Sequence, residues 1–257
     1  MGAMLSVVYA LACYALFLGT FLYSIGFVGD FIVPKAVDTG PVGPLREALI
    51  VDTLLLGVFA VQHSVMARQG FKRWWTRIVP PPVERSTYVL AASLALALLF
   101  WQWRPLTGVV WKVAGAPVVL VVHSMFWLGW GIALLSTFLI SHFELFGLSQ
   151  VFVPASRRAL PAPQFTTPLL YRHVRHPLYV GLLLAFWAAP TMSAGHLMFA
   201  VASTGYVLIG VFFEERDLID QFGDRYRTYR EQVGMLIPRV RSFTRAARDD
   251  EVTREMP

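Results

Sequence analysis

Tyr171-Arg172-His173-Val174-Arg175-His176-Pro177-Leu178-Tyr179-Val180-Gly181 changes character at its centre. The first half packs cationic and titratable side chains together; the second half begins an apolar run. Pro177 suits a first helical position, where its missing N–H costs nothing. Arg175 and His176 then stand at a helix N-terminus, beside free backbone donors and the positive end of the dipole. Such a place suits an anion, here where a membrane segment starts.

The rest of the chain agrees with a membrane setting. Of its 257 residues 56% are hydrophobic and only 15% charged, against roughly 25% charged in soluble domains, and the mean hydropathy is +0.56. Six apolar segments can be drawn: Met4–Gly29, Ala48–Met66, Thr87–Trp101, Pro117–Ile140, Pro177–Thr191 and Gly195–Phe213. The third and fifth fall short of the ~20 residues of a straight span. The fifth, ending near Pro190, can instead be one arm of a helical hairpin with the sixth. The expectation is an all-α polytopic membrane bundle of five to six transmembrane segments with a cytoplasmic C-terminal helix. The N-terminal run is too long for a signal h-region and lacks a basic start, so it reads as an uncleaved helix. Cys13, the one cysteine, lies inside it and reads as a small core residue.

Eighteen of the 22 Lys and Arg residues follow the second, fourth and sixth segments. Only Lys35, Arg46, Arg104 and Lys112 fall on the other side. The positive-inside rule makes the rich side, with both termini, cytoplasmic, and a bacterial inner membrane is the expected location. Trp101, Trp103, Trp111, Trp74 and Trp75 flank segment ends and read as interfacial anchors. Pro80-Pro81-Pro82 reads as a stiff loop turn. One domain is expected over residues 1–240, then a polar, disordered tail over 241–257.

Polar groups at membrane depth are costly and usually face a cavity. His63, His142, His173 and His176 fall at segment ends on the cytoplasmic side, His123 and His196 on the other. Each alone reads first as a structural residue; together the four suggest one pocket. A second group follows the sixth segment: Glu214-Glu215, then Phe222-Gly223-Asp224-Arg225-Tyr226-Arg227-Thr228-Tyr229. Tyr226 and Tyr229, three apart, share a helix face. The plain alternative is a basic amphipathic helix on the membrane surface. The first group offers cations and a helix N-terminus, the second carboxylates and phenols. S-adenosylmethionine, with carboxylate, ammonium, ribose and aromatic base, would use both groups; a nicotinamide dinucleotide competes through its phosphates and riboses. The chain lacks a Rossmann glycine fingerprint, a P-loop, a His-Glu-x-x-His and a cysteine cluster, so no metal is expected. Nor is a nucleic-acid partner.

Arg175-His176-Pro177-Leu178-Tyr179-Val180-Gly181, Glu214-Glu215-x-x-Leu218 and Phe222-Gly223-x-x-Tyr226-x-x-Tyr229 resemble the isoprenylcysteine carboxyl methyltransferase superfamily over residues 168–238. That resemblance implies an S-adenosylmethionine site formed or bordered by Arg175, His176, Tyr179, Glu214, Glu215, Arg225, Tyr226 and Tyr229. Gln62-His63-Ser64 and Ser141-His142-Phe143-Glu144-Leu145-Phe146-Gly147-Leu148 look like the membrane methanethiol S-methyltransferases. This implies a small thiol as acceptor, His63 and His142 as candidate bases, Gln62 and Glu144 as acceptor contacts, and dimethyl sulfide as product. An isoprenylcysteine or lipid methyltransferase, a nicotinamide-dependent reductase on the same scaffold, and a non-catalytic membrane assembly protein are the alternatives.

Overall fold

The computed structural model describes residues 2–155 and 165–239. The expected tail and the Arg157-Arg158 pair lie outside them. Five helices are long and apolar enough to cross a membrane: α1 (Ala3–Gly29), α2 (Leu45–Ala67), α4 (Pro81–Gln102), α5 (Ala116–Ile140) and α9 (Ala194–Phe222). Short helices α3 (Gln69–Trp75), α6 (His142–Leu145), α7 (Ser149–Ala155), α8 (Pro177–Trp187) and α10 (Asp224–Gln232) complete the helical elements, with one turn of 3-10 helix at Leu169–Arg172. The protein is an all-α polytopic membrane bundle.

Two of the expected boundaries move. Pro80 caps α4, and Pro81 and Pro82 form its first turn rather than a loop. A proline ring fixes φ at a helical value and needs no partner for a missing N–H, so the helix starts before the apolar run and carries Glu84 and Arg85 inside it. That lengthens the short third segment to 22 residues. Trp103 is no interfacial anchor. It is fully buried, packs edge-on to Phe27 and Phe199, and donates its indole N–H to the Val37 carbonyl at 3.0 Å. Trp101, by contrast, is 71% exposed, and Cys13 is buried as expected.

The short fifth segment is half helix and half extended chain. α8 has 11 residues, about 16 Å at 1.5 Å per residue, half of a ~30 Å hydrocarbon core. Trp187 at its end donates to Thr204 at 2.9 Å, ten residues into α9 and hence ~15 Å from that helix's start. The chain covers this height as extended backbone through Pro190 into β2 (Thr191–Ser193). Extended backbone at such depth must find partners, and β1 (Val109–Lys112), between α4 and α5, supplies them by antiparallel pairing. Val113 N–H to Pro190 O (2.8 Å) and Ala194 N–H to Gly108 O (2.7 Å) extend the pairing at both sides. α8 and α9 thus form a helical hairpin whose turn is tied to the α4–α5 connection.

α8 is held by a close backbone approach to α5. A Cβ on Gly181 would lie 2.5 Å from Ala133 N and from Gly129 O; one on Gly129 would meet Gly181 O and Ala185 N at 2.6 Å. Small residues on both helices let the backbones touch, the usual way that membrane helices gain packing energy. Phe27, Leu99, Phe100, Phe126, Trp130, Ala185 and Phe199 fill the adjoining core. The β-ribbon therefore marks one end of the bundle, and the N-terminus of α8 faces the other.

Candidate functional site

At the end away from the ribbon, α9 continues past the apolar run and carries Glu214 and Glu215 on its own surface. Gly223, at φ +59°, stops it; glycine takes that conformation without a Cβ penalty. α10 then turns back, and the segment after it runs beside residues 174–176. Arg175 N–H donates to Gly234 O at 2.8 Å and His176 N–H to Met235 O at 3.2 Å. A Cβ on Gly234 would fall 1.9 Å from Ile237 O, so the tight turn there admits only glycine.

This strap consumes Arg175. Its side chain is 8% exposed; Nε binds Glu215 Oε1 at 2.7 Å, and Nη1 donates to the Arg230 and Val233 carbonyls at 3.0 and 2.5 Å. The sequence suggested a cation waiting for a ligand's anion. The carboxylate that meets it is the protein's own Glu215, because two opposite charges taken out of water need each other. His176, buried, places Nε2 3.1 Å from Glu215 Oε1 and Nδ1 3.8 Å from Glu214 Oε2. Glu214 is different. Its side chain is 43% exposed, and it accepts the Tyr179 hydroxyl at 2.9 Å.

Tyr226 and Tyr229 share a face as their spacing predicts, with centroids 5.8 Å apart. Phe165, which the sequence reading missed, packs at 6.0 and 5.3 Å from them and completes an aromatic group. The Tyr229 hydroxyl donates to Tyr171 O at 2.5 Å, and burial pushes its pKa up to about 12. The Tyr226 hydroxyl is buried with no hydrogen-bond partner among the described residues; burial raises its pKa further still, with the Glu215 charge adding to it. Arg225 is exposed on α10, on a different face from Tyr226.

The expected histidines fall in separate side-chain groups: His176 lies with the glutamates, and His63 and His142 have partners of their own. His63 lies near the end of α2 under Tyr88 of α4, whose hydroxyl is 3.0 Å from Nδ1 and 2.9 Å from Nε2. Equal distances to both nitrogens place the hydroxyl off the ring plane, since an in-plane position would collide with the carbon between them. Phe59 stacks on the ring at 5.2 Å and Tyr206 of α9 approaches edge-on at 6.4 Å. Tyr206 stands on α9, eight residues before Glu214, so one helix carries a neighbour of His63 and the partner of Tyr179. Gln62 donates to Met66 Sδ at 3.2 Å, and its buried carbonyl oxygen has no partner among the described residues.

His142 stands elsewhere. Its Nε2 is 2.8 Å from the Tyr14 hydroxyl, its Nδ1 is 2.8 Å from Thr137 Oγ1, and its ring stacks parallel on Phe138 at 4.1 Å. Both nitrogens are occupied by separate partners, and the ring serves to join α1 to the end of α5. The expected pairing of His63 with His142 is not a contact among the described residues, and both nitrogens of His142 are already hydrogen-bonded to other side chains. Glu144 is exposed, and among the described residues its side chain makes no hydrogen bond or ion pair. His173 is exposed, near the Leu169 carbonyl. His196 is buried at the ribbon end on the Phe186 carbonyl, and His123 is exposed on α5. No group of three or more His, Cys, Asp or Glu that could hold a metal occurs among the described residues.

Tyr88, Tyr206 and Phe165 escaped the sequence reading. Tyr88 had a signal: in Arg85-Ser86-Thr87-Tyr88 a cation and a phenol sit three apart, on one helix face, just inside an apolar segment.

A polytopic helical bundle with carboxylates, phenols and a histidine gathered at one end of its helices defines a membrane-embedded enzyme. The chain is 55% identical over 234 residues to a methanethiol S-methyltransferase of Mycobacterium tuberculosis, covering 91% of this chain and 96% of that one. It is 51% identical over 238 residues to a methanethiol S-methyltransferase of Pseudomonas sp., covering 93% and 92%. Nurim of Mus musculus is 31% identical over 188 residues, 68% of this chain and 69% of its own. No family model matches the chain, and no solved structure does. The chain belongs to the methanethiol S-methyltransferase family, and it is an integral membrane methyltransferase.

Proposed function

We propose that the protein transfers the methyl group of S-adenosylmethionine to the sulfur of methanethiol, giving dimethyl sulfide, at the cytoplasmic side of a bacterial inner membrane with both termini cytoplasmic. The observation that carries this reading is the meeting of two half-sites. Helix α9 carries both Tyr206, edge-on to the His63 ring beside Tyr88 and the unpartnered Gln62 carbonyl, and, eight residues on, Glu214, the partner of Tyr179. Relatives at 51–55% identity carry the methanethiol S-methyltransferase name.

The residues fit the donor. Glu214 keeps a partly exposed carboxylate for an ammonium or for ribose hydroxyls. The orphaned Tyr226 hydroxyl calls for a partner, since a buried polar group left unpaired costs about 1–3 kcal/mol. Phe165 and Tyr229 offer faces for an aromatic base, and the first turn of α8 has no side-chain cap, leaving its amides for a carboxylate. In this reading Arg175, Glu215 and His176 shape the pocket from behind; Arg225, exposed, contacts the donor only if the ligand reaches over α10. The donor half covers about residues 168–238 of one domain spanning 1–240.

When bound, the donor supplies an electrophilic methyl group on a sulfonium. The protein must then deliver the acceptor sulfur in line and remove its proton. Positioning two bound reactants can contribute roughly 7–11 kcal/mol at best. His63 takes the thiol proton, because Tyr88 occupies its face and leaves an in-plane nitrogen for the acceptor. A small apolar thiol enters from the lipid, and the neutral thioether leaves the same way.

The test is methyl transfer by the purified protein in detergent, with methanethiol, hydrogen sulfide and a prenylated cysteine supplied side by side. Dimethyl sulfide in the headspace is the expected product. Methylation of the prenylated cysteine alone, or a thermal shift with NADPH but none with S-adenosylhomocysteine, overturns the reading.

A further inference from the structure

The Arg85 guanidinium stands over the ring of Tyr88, 5.0 Å from its centroid, and is fixed from the other side by Nε–H donation to Leu145 O at 2.9 Å. The Tyr88 hydroxyl in turn lies 2.9 Å from His63 Nε2, so guanidinium, phenol and imidazole form one contiguous group. Among the described residues no carboxylate lies within ion-pair distance of Arg85, although its neighbour in sequence is Glu84. Arg175, a more deeply buried cation at this end, is closed by Glu215 and two carbonyls. Among the described residues Arg85 has one carbonyl on one nitrogen. A half-buried guanidinium with its terminal N–H groups unmatched is poised for an anion, and the one that forms beside His63 in thiol methylation is a thiolate.

We propose that Arg85 is the cation that holds the acceptor sulfur as its thiolate beside the His63–Tyr88 pair. This rests on the function proposed above and adds the acceptor's charge partner. An alkanethiol is less acidic than free Cys, at about 8.5, and so is mostly protonated at neutral pH, while the thiolate is the nucleophile. The S–H bond breaks and its proton leaves through His63 to water. The sulfur's electron pair forms the new S–CH3 bond, and the pair of the old S–CH3 bond stays on the donor's sulfur, which becomes a neutral thioether. Negative charge on the acceptor exists only before transfer, so the cation works by raising the thiolate fraction. The charged and titratable groups facing this spot are His63 on α2, Lys72 on α3, Glu84 and Tyr88 on α4, and Tyr206 on α9. The Leu145 carbonyl ahead of α7 and, on the far face of α4, Tyr9 of α1, bonded to Thr87, complete the surroundings.

A thiol made a hundredfold more acidic gains that factor in thiolate, and a Brønsted slope of about 0.4–0.5 returns half of it, leaving roughly tenfold in rate at neutral pH. Arg85→Met should therefore methylate methanethiol roughly tenfold more slowly at pH 7, with the deficit closing, or reversing, at pH values where the free thiol ionises by itself. Arg85→Lys should recover part of the rate, and hydrogen sulfide, a more acidic acceptor, should suffer less than methanethiol. S-adenosylhomocysteine binding by calorimetry should be unchanged and reports that the variant is folded. Independently of turnover, the 13C shift of labelled methanethiol bound to the donor-free protein should titrate at lower pH with the wild type than with Arg85→Met. If Arg85→Met is not obtained folded, the wild-type 13C titration decides alone: no lowering relative to free thiol overturns the proposal. A variant whose rate falls equally at every pH and for both acceptors also overturns it. A wild type that methylates no thiol sinks the proposed function instead, and the two failures are read separately.

Discussion

His63 and His142 stand at the same end of the bundle, the first against Tyr88 of α4 and the second against Tyr14 of α1, and differ in how many of their nitrogens are taken. His142 has two nitrogens and two partners, Tyr14 and Thr137, each at 2.8 Å, with Phe138 stacked beneath. His63 has two nitrogens and one hydroxyl to share between them. The first ring is a joint between α1 and α5. The second keeps hydrogen-bonding capacity among the described residues, as the proposed role of a base requires. Equal sequence evidence, a histidine at a segment end, thus yields unequal chemistry, and hydrogen-bond saturation separates them.

The largest effect that can break this comparison is catalytic. His63→Ala should lower the methylation rate about 10²–10⁴-fold, the usual worth of a positioned general base, while leaving thermal stability nearly unchanged. His142→Ala should do the reverse. Methylation assays and melting curves on the two variants in parallel check it; two variants with wild-type rates at low substrate would remove histidine from the mechanism.

Next in size is a substitution on the donor side. Glu215→Gln leaves the 8%-exposed Arg175 without its counter-ion and should cost about 3–5 kcal/mol, as expected when one partner of a buried pair is removed. The strap carrying Gly234 and Met235 should loosen with it, so hydrogen exchange at Arg175 and His176 should rise first. Glu214→Gln, on a carboxylate that faces outward, should leave stability alone and weaken binding of S-adenosylhomocysteine. A Glu214 variant that unfolds the protein and a Glu215 variant that does not would exchange their roles.

These contrasts also show where sequence is legible. Helix α5 could be drawn almost to the residue because an uncharged apolar run has no competing reading. The start of α4 could not, since Glu84 and Arg85 interrupt the pattern while three prolines preform the turn. The crossing made by α8 and extended chain was hidden because its stability comes from β1, some eighty residues earlier. The motif residues Arg175, His176, Tyr179, Glu214, Glu215, Tyr226 and Tyr229 do gather at one end of the fold. Which carboxylate would be spent on Arg175 was not readable, because Glu214 and Glu215 are adjacent in sequence and only helix phase turns one inward.

A smaller effect concerns the two hydrogen bonds of His142. His142→Asn keeps one polar group near Tyr14 or Thr137 but cannot reach both, and the ring stack on Phe138 is lost. The cost should be about 1–3 kcal/mol, the penalty for a buried hydroxyl left without its partner. Methyl transfer measured well below the melting temperature should stay within a few-fold of wild type. A rate loss as large as that of His63→Ala, with no loss of stability, would mean that the joint also works in the chemistry.

The smallest effect is a pH dependence that only one of the two corners should show. Burial lowers the pKa of His142 from its ordinary 6.5, because the cation would lose water and gain no carboxylate. The unfolded chain, with its histidine at the ordinary value, then binds the proton more readily than the folded one. Folding stability is full above about 6.5 and falls as the pH drops through that value toward the folded pKa. Melting temperature measured in detergent between pH 7.5 and pH 5 should decline on the acid side. In His142→Asn, which starts lower, that part of the slope should be missing, since no proton can be taken up at the site. If the slope survives the substitution, another group supplies it, and the assignment of His142 as a neutral structural joint loses its thermodynamic support.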